Sequence, residues 1–459
     1  MSEADSSDKS DYVCDLVIVG GGVLGNAVSS NLESFSGLVL VVDSGTELLN
    51  VSDGPIRSST LWPFRAKESR TPRSGRPASG GDIELAPFAN FELSDSRWPL
   101  NSSEIQEKIP QALSHLGFSE ESIHIANFWA SNQPDAIASE MTQHCSLRLT
   151  HGAMSANPKS ATPLPNVKHI QGLTCTHLER AGDGGFLLHM ASESSGPLTL
   201  KAGTVVLAAG ANGNSRLMEN SEKLNLNRSS FEEGCSAQIR GSIGLLSTPA
   251  RQNAVREGLL NDYQEAYFRS NVGHGLAVNS WRVSFHKLRN PLPMLKVLGR
   301  NFPRALWISI TNAIKGYETH LINANGAQAL ELSSQCRFAQ GGNCDLKRAG
   351  EAMRIETLTT MLQELPGFMA PGTIVRNFRR TGRHLDFEDH HLGGFRMARC
   401  STEGIVDGDL QVFGEPGLFI CSSTVLPALS STNPTLLLVQ LALRLADHLV
   451  EKKSSEGRS

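Results

Sequence analysis

The apolar run at 15–19 (DLVIV) ends in a cluster of glycines, three of which, Gly20, Gly22 and Gly25, have the spacing G-x-G-x-x-G. Glycines at that spacing after a strand suit a nucleotide site. The first permits a tight turn. The second lets a pyrophosphate approach the backbone, and the third lets the following helix pack close to the strand. The free N–H groups and positive dipole end of that helix then face the phosphates. A carboxylate about 20 residues further on, at the end of the next strand, binds ribose hydroxyls. Asp43 stands there, closing LVLVVDSG at 38–45. Gly20, Gly22, Val23, Leu24, Gly25, Asp43 and Ser44 are therefore the first set of candidate cofactor contacts. Glycines alone could mark an ordinary turn. The strand before them, the helical pattern after them and the placement of Asp43 together favour a dinucleotide. The motif does not choose between FAD and NAD.

The elements that must position these residues are legible in outline. NAVSSNLESF, from Asn26, has helical spacing, and strand, glycine turn, helix and strand within about thirty residues form a βαβ unit. Residues 46–100 are rich in Ser, Pro, Gly and Arg, and read as a long irregular loop. NSSEIQEKIPQALSHLGF reads as a helix with an Asn/Ser cap, with Pro110 as a break point. Short alternating runs from 166 to 206 predict a β-meander that feeds a buried strand over 204–208. That strand ends in Ala209-Gly210-Ala211-Asn212, a second strand–glycine–helix junction. A βαβ unit first, then a meander, then a second junction is the layout of large FAD proteins. It makes Ala209, Gly210 and Asn212 further cofactor candidates. The chain closes with a helix after Asn433-Pro434.

The predicted fold class is α/β with α+β elements: a Rossmann-like FAD-binding domain with a β-meander, plus a smaller substrate-binding domain. The boundaries read as a disordered leader at 1–12, an FAD-binding part at 13–232 and a substrate-binding part at 233–385. A C-terminal FAD-binding and catalytic part at 386–452 and a tail at 453–459 follow.

Bulk properties narrow the function classes. A formal charge of −4 over 459 residues offers no general attraction for nucleic acid or an anionic membrane. The eight cysteines are scattered without a C-x-x-C pair, which argues against zinc-ribbon and thioredoxin-like sites. No metal site is expected. No run of about 18 apolar residues occurs, so no membrane span is expected. The first residues, MSEADSSDKSD, lack the features of a signal peptide, which makes the cytoplasm the default compartment.

Two C-terminal stretches are more specific: DHHLGGFRMARC at 389–400 and the segment 407–450. Together they resemble the C-terminal signature of the glucose–methanol–choline (GMC) oxidoreductases. His390-His391-Leu392-Gly393-Gly394-Phe395-Arg396-Met397 matches the family's His-x-x-Gly-Thr-x-x-Met. Ile405-Val406-Asp407, the strand from Leu418 to Pro427, and Asn433-Pro434-Thr435 follow in the family's order. The N-terminal glycines, VVLAAGANGNSRLM and Trp98-Pro99 look like the family as well.

The resemblance implies an FAD-dependent enzyme that oxidises a CH–OH group by hydride transfer to flavin N5. His390 would be the catalytic base and acid, with Asn433 as its partner. It adds Ser422, Ser423, Asn433, Pro434 and Thr435 to the cofactor candidates. A small-molecule alcohol, with a lean toward sugars and polyols, and a separate electron acceptor are the implied partners. An imidazole titrating near working pH suits the proton transfer, and an amide can hold an oxygen without competing for its proton.

Gly394 stands where the family has Thr, and Ser79-Gly80-Gly81-Asp82 has Asp where the family has Ser or Thr. These departures leave a non-redox, lyase-type or degenerate flavin-binding use of the scaffold as the alternative. An NAD-dependent dehydrogenase is the third reading.

Overall fold

The computed structural model describes residues 10–44, 83–85, 98–117, 139–142, 145–150, 154–156, 164–192, 196–226, 236–250, 265–270, 280–288, 301–331, 347–348, 358–359, 362–363, 365–368, 371–378, 386–392, 394–427 and 434–456. Residues 1–9 of the leader predicted at 1–12, Ser79–Asp82 and Asn433 lie outside the described residues, whereas the end of that leader is ordered: Asp11 N–H donates to Thr199 O at 2.9 Å and a strand opens at Tyr12.

In chain order the elements begin with β1 (Tyr12–Val19), α1 (Val23–Ser29), β2 (Val39–Asp43), β3 (Ile83–Leu85), α2 (Ser102–Gln106) and α3 (Ile109–His115). Strands β4 (Ser139–Thr142), β5 (Cys145–Thr150), β6 (Met154–Ala156), β7 (Val167–Gln171), β8 (Thr174–Arg180), β9 (Phe186–Ala191) and β10 (Leu198–Leu207) follow. Next come α4 (Gly210–Asn220), β11 (Ser236–Pro249), β12 (Glu265–Ser270), β13 (Ser280–Lys287), α5 (Phe302–Ile314), β14 (Tyr317–Glu331) and β15 (Lys347–Arg348). The chain ends with β16 (Ile374–Asn377), β17 (Asp386–Leu392), β18 (Leu418–Ile420) and α6 (Thr435–Glu456).

The first sheet has the order β7-β2-β1-β10-β9-β8, with β18 also on β10. Strands β7, β2, β1, β10 and β18 run parallel, and β8-β9-β10 form an antiparallel meander. VKHIQ therefore joins the parallel part of the sheet rather than the meander. β10 is longer than the predicted strand and has two partners along one edge. Its residues Leu198–Ala202 pair with β9, and its residues Val205–Leu207 pair with β18. Leu16, Val17, Ile18, Val39, Val205, Val206, Leu207, Leu418 and Phe419 are fully buried, as expected for strands covered on both faces.

Helix α1 stops at Ser29, short of the predicted NAVSSNLESF. The Ser30 hydroxyl and the Asn31 amide donate back to the carbonyls of Asn26 and Ala27, at 2.7 and 2.8 Å, which closes the last turn. The break predicted at Pro110 separates α2 from α3. Asn101 caps α2 by accepting from Ser103 N–H at 3.2 Å, and Pro110 lies in the first turn of α3, where its missing N–H costs nothing. Helix α6 is buried on nearly all sides from Leu436 to Ala446 and packs on α1, α2 and α3. This accounts for a run as apolar as TLLLVQLALRLA in a helix of the interior. Among the described residues no helix is long and apolar enough to cross a membrane.

The second sheet is antiparallel, in the order β16-β11-β14-β13-β12-β5-β4, with β15 on β14 and β17 on β11. Its strands come from 139–150 as well as from 236–392. Helix α5 lies over one end of it. Ala305 packs with Leu245, Leu321 and Phe378, and the buried Asn312 amide donates to Ser247 Oγ at 2.7 Å and Thr319 Oγ1 at 2.8 Å. The whole is the α/β architecture that the sequence predicts.

Candidate functional site

In a parallel sheet a ligand crevice forms beyond the carboxyl ends of the strands, where successive connections leave in opposite directions. Here that point lies between β1, which leads toward β2, and β10 on its other side. The strand ends are held together by the backbone. Gly20 N–H donates to Val42 O at 2.8 Å, Ala208 N–H to Val19 O at 2.7 Å, and Cys421 N–H to Leu207 O at 2.9 Å. Four segments distant in sequence therefore end at one edge: Gly20–Gly25, Asp43–Ser44, Ala208–Gly210 and Cys421–Ser423.

Each glycine of the motif does a different job. Gly20 has φ +107°, and a Cβ there would sit 2.5 Å from Ala208 O. A Cβ on Gly25 would lie 1.9 Å from Gly20 O, so helix α1 docks onto the turn only without one. A Cβ on Gly22 would meet nothing within 4 Å. The open approach at Gly22, between two positions closed by protein backbone, fits a phosphate group and tests the cofactor reading on the structure itself. Val23 and Leu24 form the first turn of α1, whose N-cap is Gly22, in extended conformation and without a side-chain cap. Asp43 reaches back across the crevice, and its Oδ2 accepts from Gly21 N–H at 2.7 Å. A carboxylate has lone pairs for further donors.

At the second junction Gly210 has φ +73°. The fully buried Asn214 ties this turn to its own strand: its Oδ1 accepts from Ala209 N–H at 3.0 Å, and its amide donates to Leu207 O at 3.1 Å. Asn212 stands in the first turn of α4. Asn214, which fixes this edge, is not among the residues the sequence singles out. The only signal was a second polar residue at the start of a helical run.

Ser422 is buried, and its hydroxyl is engaged with Thr424 in the 3-10 turn Ser423–Val425. An earlier extended segment pairs with this turn, with Phe395 N–H donating to Thr424 O at 3.0 Å and Met397 N–H to Val425 O at 2.8 Å. Gly394 opens that segment with φ +100°. The departure from the family's Thr thus coincides with a backbone conformation that a β-branched residue resists.

His390 and His391 lie on β17, which pairs with β11 of the second sheet and packs against the 423–425 turn of the first. Their strand therefore bridges the two sheets beside the end of β18. Pro434, buried, and Thr435 open α6, with Pro434 O accepting from Leu438 N–H at 2.9 Å.

Asp407, from the Ile-Val-Asp signature, proves to be a loop former. Its Oδ1 accepts from the N–H groups of Asp409 and Gln411, both at 2.9 Å, and holds Leu410 at φ +68°. Burial pushes its pKa up, against those two bonds. Arg444 of α6 clamps the loop through Gly408 O at 2.8 Å and Asp409 Oδ1 at 2.7 Å. Below the first sheet, Arg180 Nε donates to the buried Glu415 Oε2 at 2.7 Å, and Asn225 N–H donates to its other oxygen at 2.5 Å. Among the described residues no group of three His, Cys, Asp or Glu side chains could hold a metal ion.

Comparison with known proteins agrees with the architecture. Residues 351–442 match the GMC oxidoreductase C-terminal domain family. Two solved structures share the fold. One is pyridoxine 4-oxidase from Mesorbium loti, with a TM-score of 0.50 and 13% identity over 95% of this chain and 99% of that one. The other is a variant of Aspergillus oryzae RIB40 formate oxidase studied for its FAD modification, with a TM-score of 0.50 and 13% identity over 98% and 100%. No curated protein sequence matches the chain.

Proposed function

We propose that this chain, a member of the GMC oxidoreductase family and an FAD-dependent oxidoreductase, oxidises the CH–OH group of a small alcohol, with His390 taking the hydroxyl proton. The observation that supports this best is the position of β18. By pairing in parallel with β10 it delivers the C-terminal domain to the same edge as Gly20–Gly25 and Asp43. The proposed chemistry thus sits beside the nucleotide crevice and not on a separate lobe.

Bound FAD supplies the acceptor for the hydride. The chain's own residues do the rest. Gly22 and the first turn of α1 receive the pyrophosphate, Asp43 binds ribose hydroxyls, and Ala209 and Gly210 border the far side of the crevice. Asn212, Ser423 and Thr435 complete the proposed contacts. His390, an imidazole whose ordinary pKa lies near 6.5, accepts the substrate's hydroxyl proton at neutral pH. Asn433 donates an amide hydrogen to the substrate oxygen. The second sheet, which takes strands from 139–150 and 386–392 as well as from the predicted 233–385, forms the substrate-binding part.

Sugars and polyols head the substrate panel, followed by pyridoxine and formate, on which the two structural neighbours act. The test is anaerobic mixing of the yellow protein with each candidate alcohol, and with formate as the non-alcohol comparison, followed at the flavin's visible bands. The expected result is bleaching by one substrate class in the parent protein. His390→Ala keeps its FAD but bleaches slower by about 100-fold or more. A His390→Ala protein with both FAD and full turnover refutes the role of His390. A parent protein with tightly held FAD that no alcohol bleaches refutes the reaction.

A further inference from the structure

Helix α5 carries large apolar side chains on the face it turns to water as well as on the face it packs on the second sheet. At 3.6 residues per turn Ala305 and Asn312 share the face turned to the second sheet, where Asn312 spends its amide on Ser247 and Thr319. The opposite stripe holds Pro303, Trp307, Ile310 and Ile314. Trp307 is 68% exposed, Ile310 48% and Ile314 80%. These are among the most exposed large apolar residues described, and three of them fall on one helix face. Ile374, across from Ser247 in the β11–β16 register, adds a fourth exposed apolar residue beside the helix.

The segment that carries the stripe is basic in sequence, and two exposed cations flank the stripe itself. Residues 266–317 contain eight Lys or Arg and no Asp or Glu, in a chain whose net charge is negative. Arg304 and Lys315, both exposed, stand at either end of the helix on the same side of the stripe. A Trp and two Ile between cations is the pattern of a helix that lies in the interface of an anionic membrane. There the apolar face enters the headgroup boundary and the cations meet lipid phosphates and carboxylates.

We propose that α5 docks this protein on an anionic lipid surface. A second copy of the chain is the poorer occupant. A two-fold contact through this stripe would set Arg304 of one molecule near Lys315 of the other. A single 13-residue helix face also presents far less than the roughly 800 Å² per partner of a stable interface.

The test is flotation of the FAD-loaded protein with phosphatidylserine-containing vesicles, against vesicles of phosphatidylcholine alone. The expected result is flotation with the anionic vesicles only, weakening as salt rises. Trp307→Ser with Ile314→Ser, and separately Arg304→Glu, should each lower vesicle affinity by about tenfold or more while flavin absorbance and melting temperature stay unchanged. No flotation at low salt overturns the proposal, as does flotation that both variants retain. A dimer in light scattering that Trp307→Ser dissociates also overturns it, and assigns the stripe to a second copy.

Discussion

Alanine at Gly22 and alanine at Gly25 separate a glycine kept for a ligand from one kept for the fold. At Gly22 the backbone has φ −71° and ψ −169°, a conformation alanine adopts freely, and the added methyl would touch nothing within 4 Å. Two small terms oppose each other. Fewer unfolded conformations favour the variant by about 0.4–1 kcal/mol. Alanine is a poorer N-cap than glycine by about 0.5–1 kcal/mol. The sum is near zero, so the cofactor-stripped protein should melt within a degree or two of the parent.

At Gly25 the methyl would lie 1.9 Å from a backbone oxygen, Gly20 O, and neither atom belongs to a side chain that can rotate away. Helix α1 must shift by more than an ångström, at a cost of about 3 kcal/mol or more. In a chain of 459 residues that lowers the melting temperature by about 3 °C or more. FAD affinity then reverses the ranking of effects at Gly22. A methyl in the path of the pyrophosphate should weaken FAD by at least about tenfold, or 1.4 kcal/mol, in a protein whose fold is intact. Differential scanning fluorimetry of the stripped proteins, followed by titration with FAD, measures both. If the Gly22→Ala protein binds FAD like the parent, nothing approaches this turn and the pyrophosphate placement is refuted. If it melts as early as Gly25→Ala, the open space at Gly22 is not there.

Other substitutions test the supports of the site. Arg180→Ala leaves the Glu415 carboxylate buried with, among the described residues, the Asn225 N–H alone against it, and should cost about 3–5 kcal/mol in urea unfolding; Glu415→Gln, which keeps the shape without the charge, should cost less. Gly394→Thr introduces the residue of the GMC signature at φ +100° and should destabilise by about 1–3 kcal/mol, seen as a lower melting temperature, whereas a neutral result would mean that the turn is not as described. His115, His177 and His320 all have pKa values lowered from 6.5, chiefly by burial. The folded state therefore favours their neutral forms, so their contribution to stability is present above about pH 6.5 and lost as pH falls through the lowered folded values. Unfolding free energy measured across that range should fall with acidification, and His320→Gln, which removes a ring whose buried Nδ1 has no hydrogen-bond partner among the described residues, should flatten part of the slope.

What the sequence made legible follows a physical rule. Gly20 and Gly25 are readable because their constraint is local: a tight turn and a close helix approach both demand the missing Cβ. Asp43 is readable because its distance from the turn is set by one helix and one strand. Pro110 announces its helix break by removing an N–H. Asn214 was not readable, because an amide that satisfies its own strand end looks like any polar residue in a helix. Asp407 was seen as part of a signature, yet its work in folding the 407–411 loop depends on Arg444, almost forty residues away in the chain. Gly394 read as a departure from the family until its positive φ supplied a backbone reason. Helix α5 stayed hidden for another reason. A net charge summed over the whole chain cancels the carboxylate-free stretch around it, and a periodicity of 3.6 does not say which face turns inward.

The divided edge of β10 bears on how the protein is made. Leu198–Ala202 find their partner in β9, which is synthesised just before them. Val205–Leu207 must wait for Leu418–Ile420, more than two hundred residues later. Until those residues leave the ribosome, three apolar positions at the end of β10 present open backbone groups on the edge where the cofactor crevice will form. An open edge of that kind pairs readily with another nascent chain. Chains cut before residue 418 should aggregate rather than accumulate as a folded N-terminal half, and FAD capture should be a late event, completed only when the last strand closes the sheet.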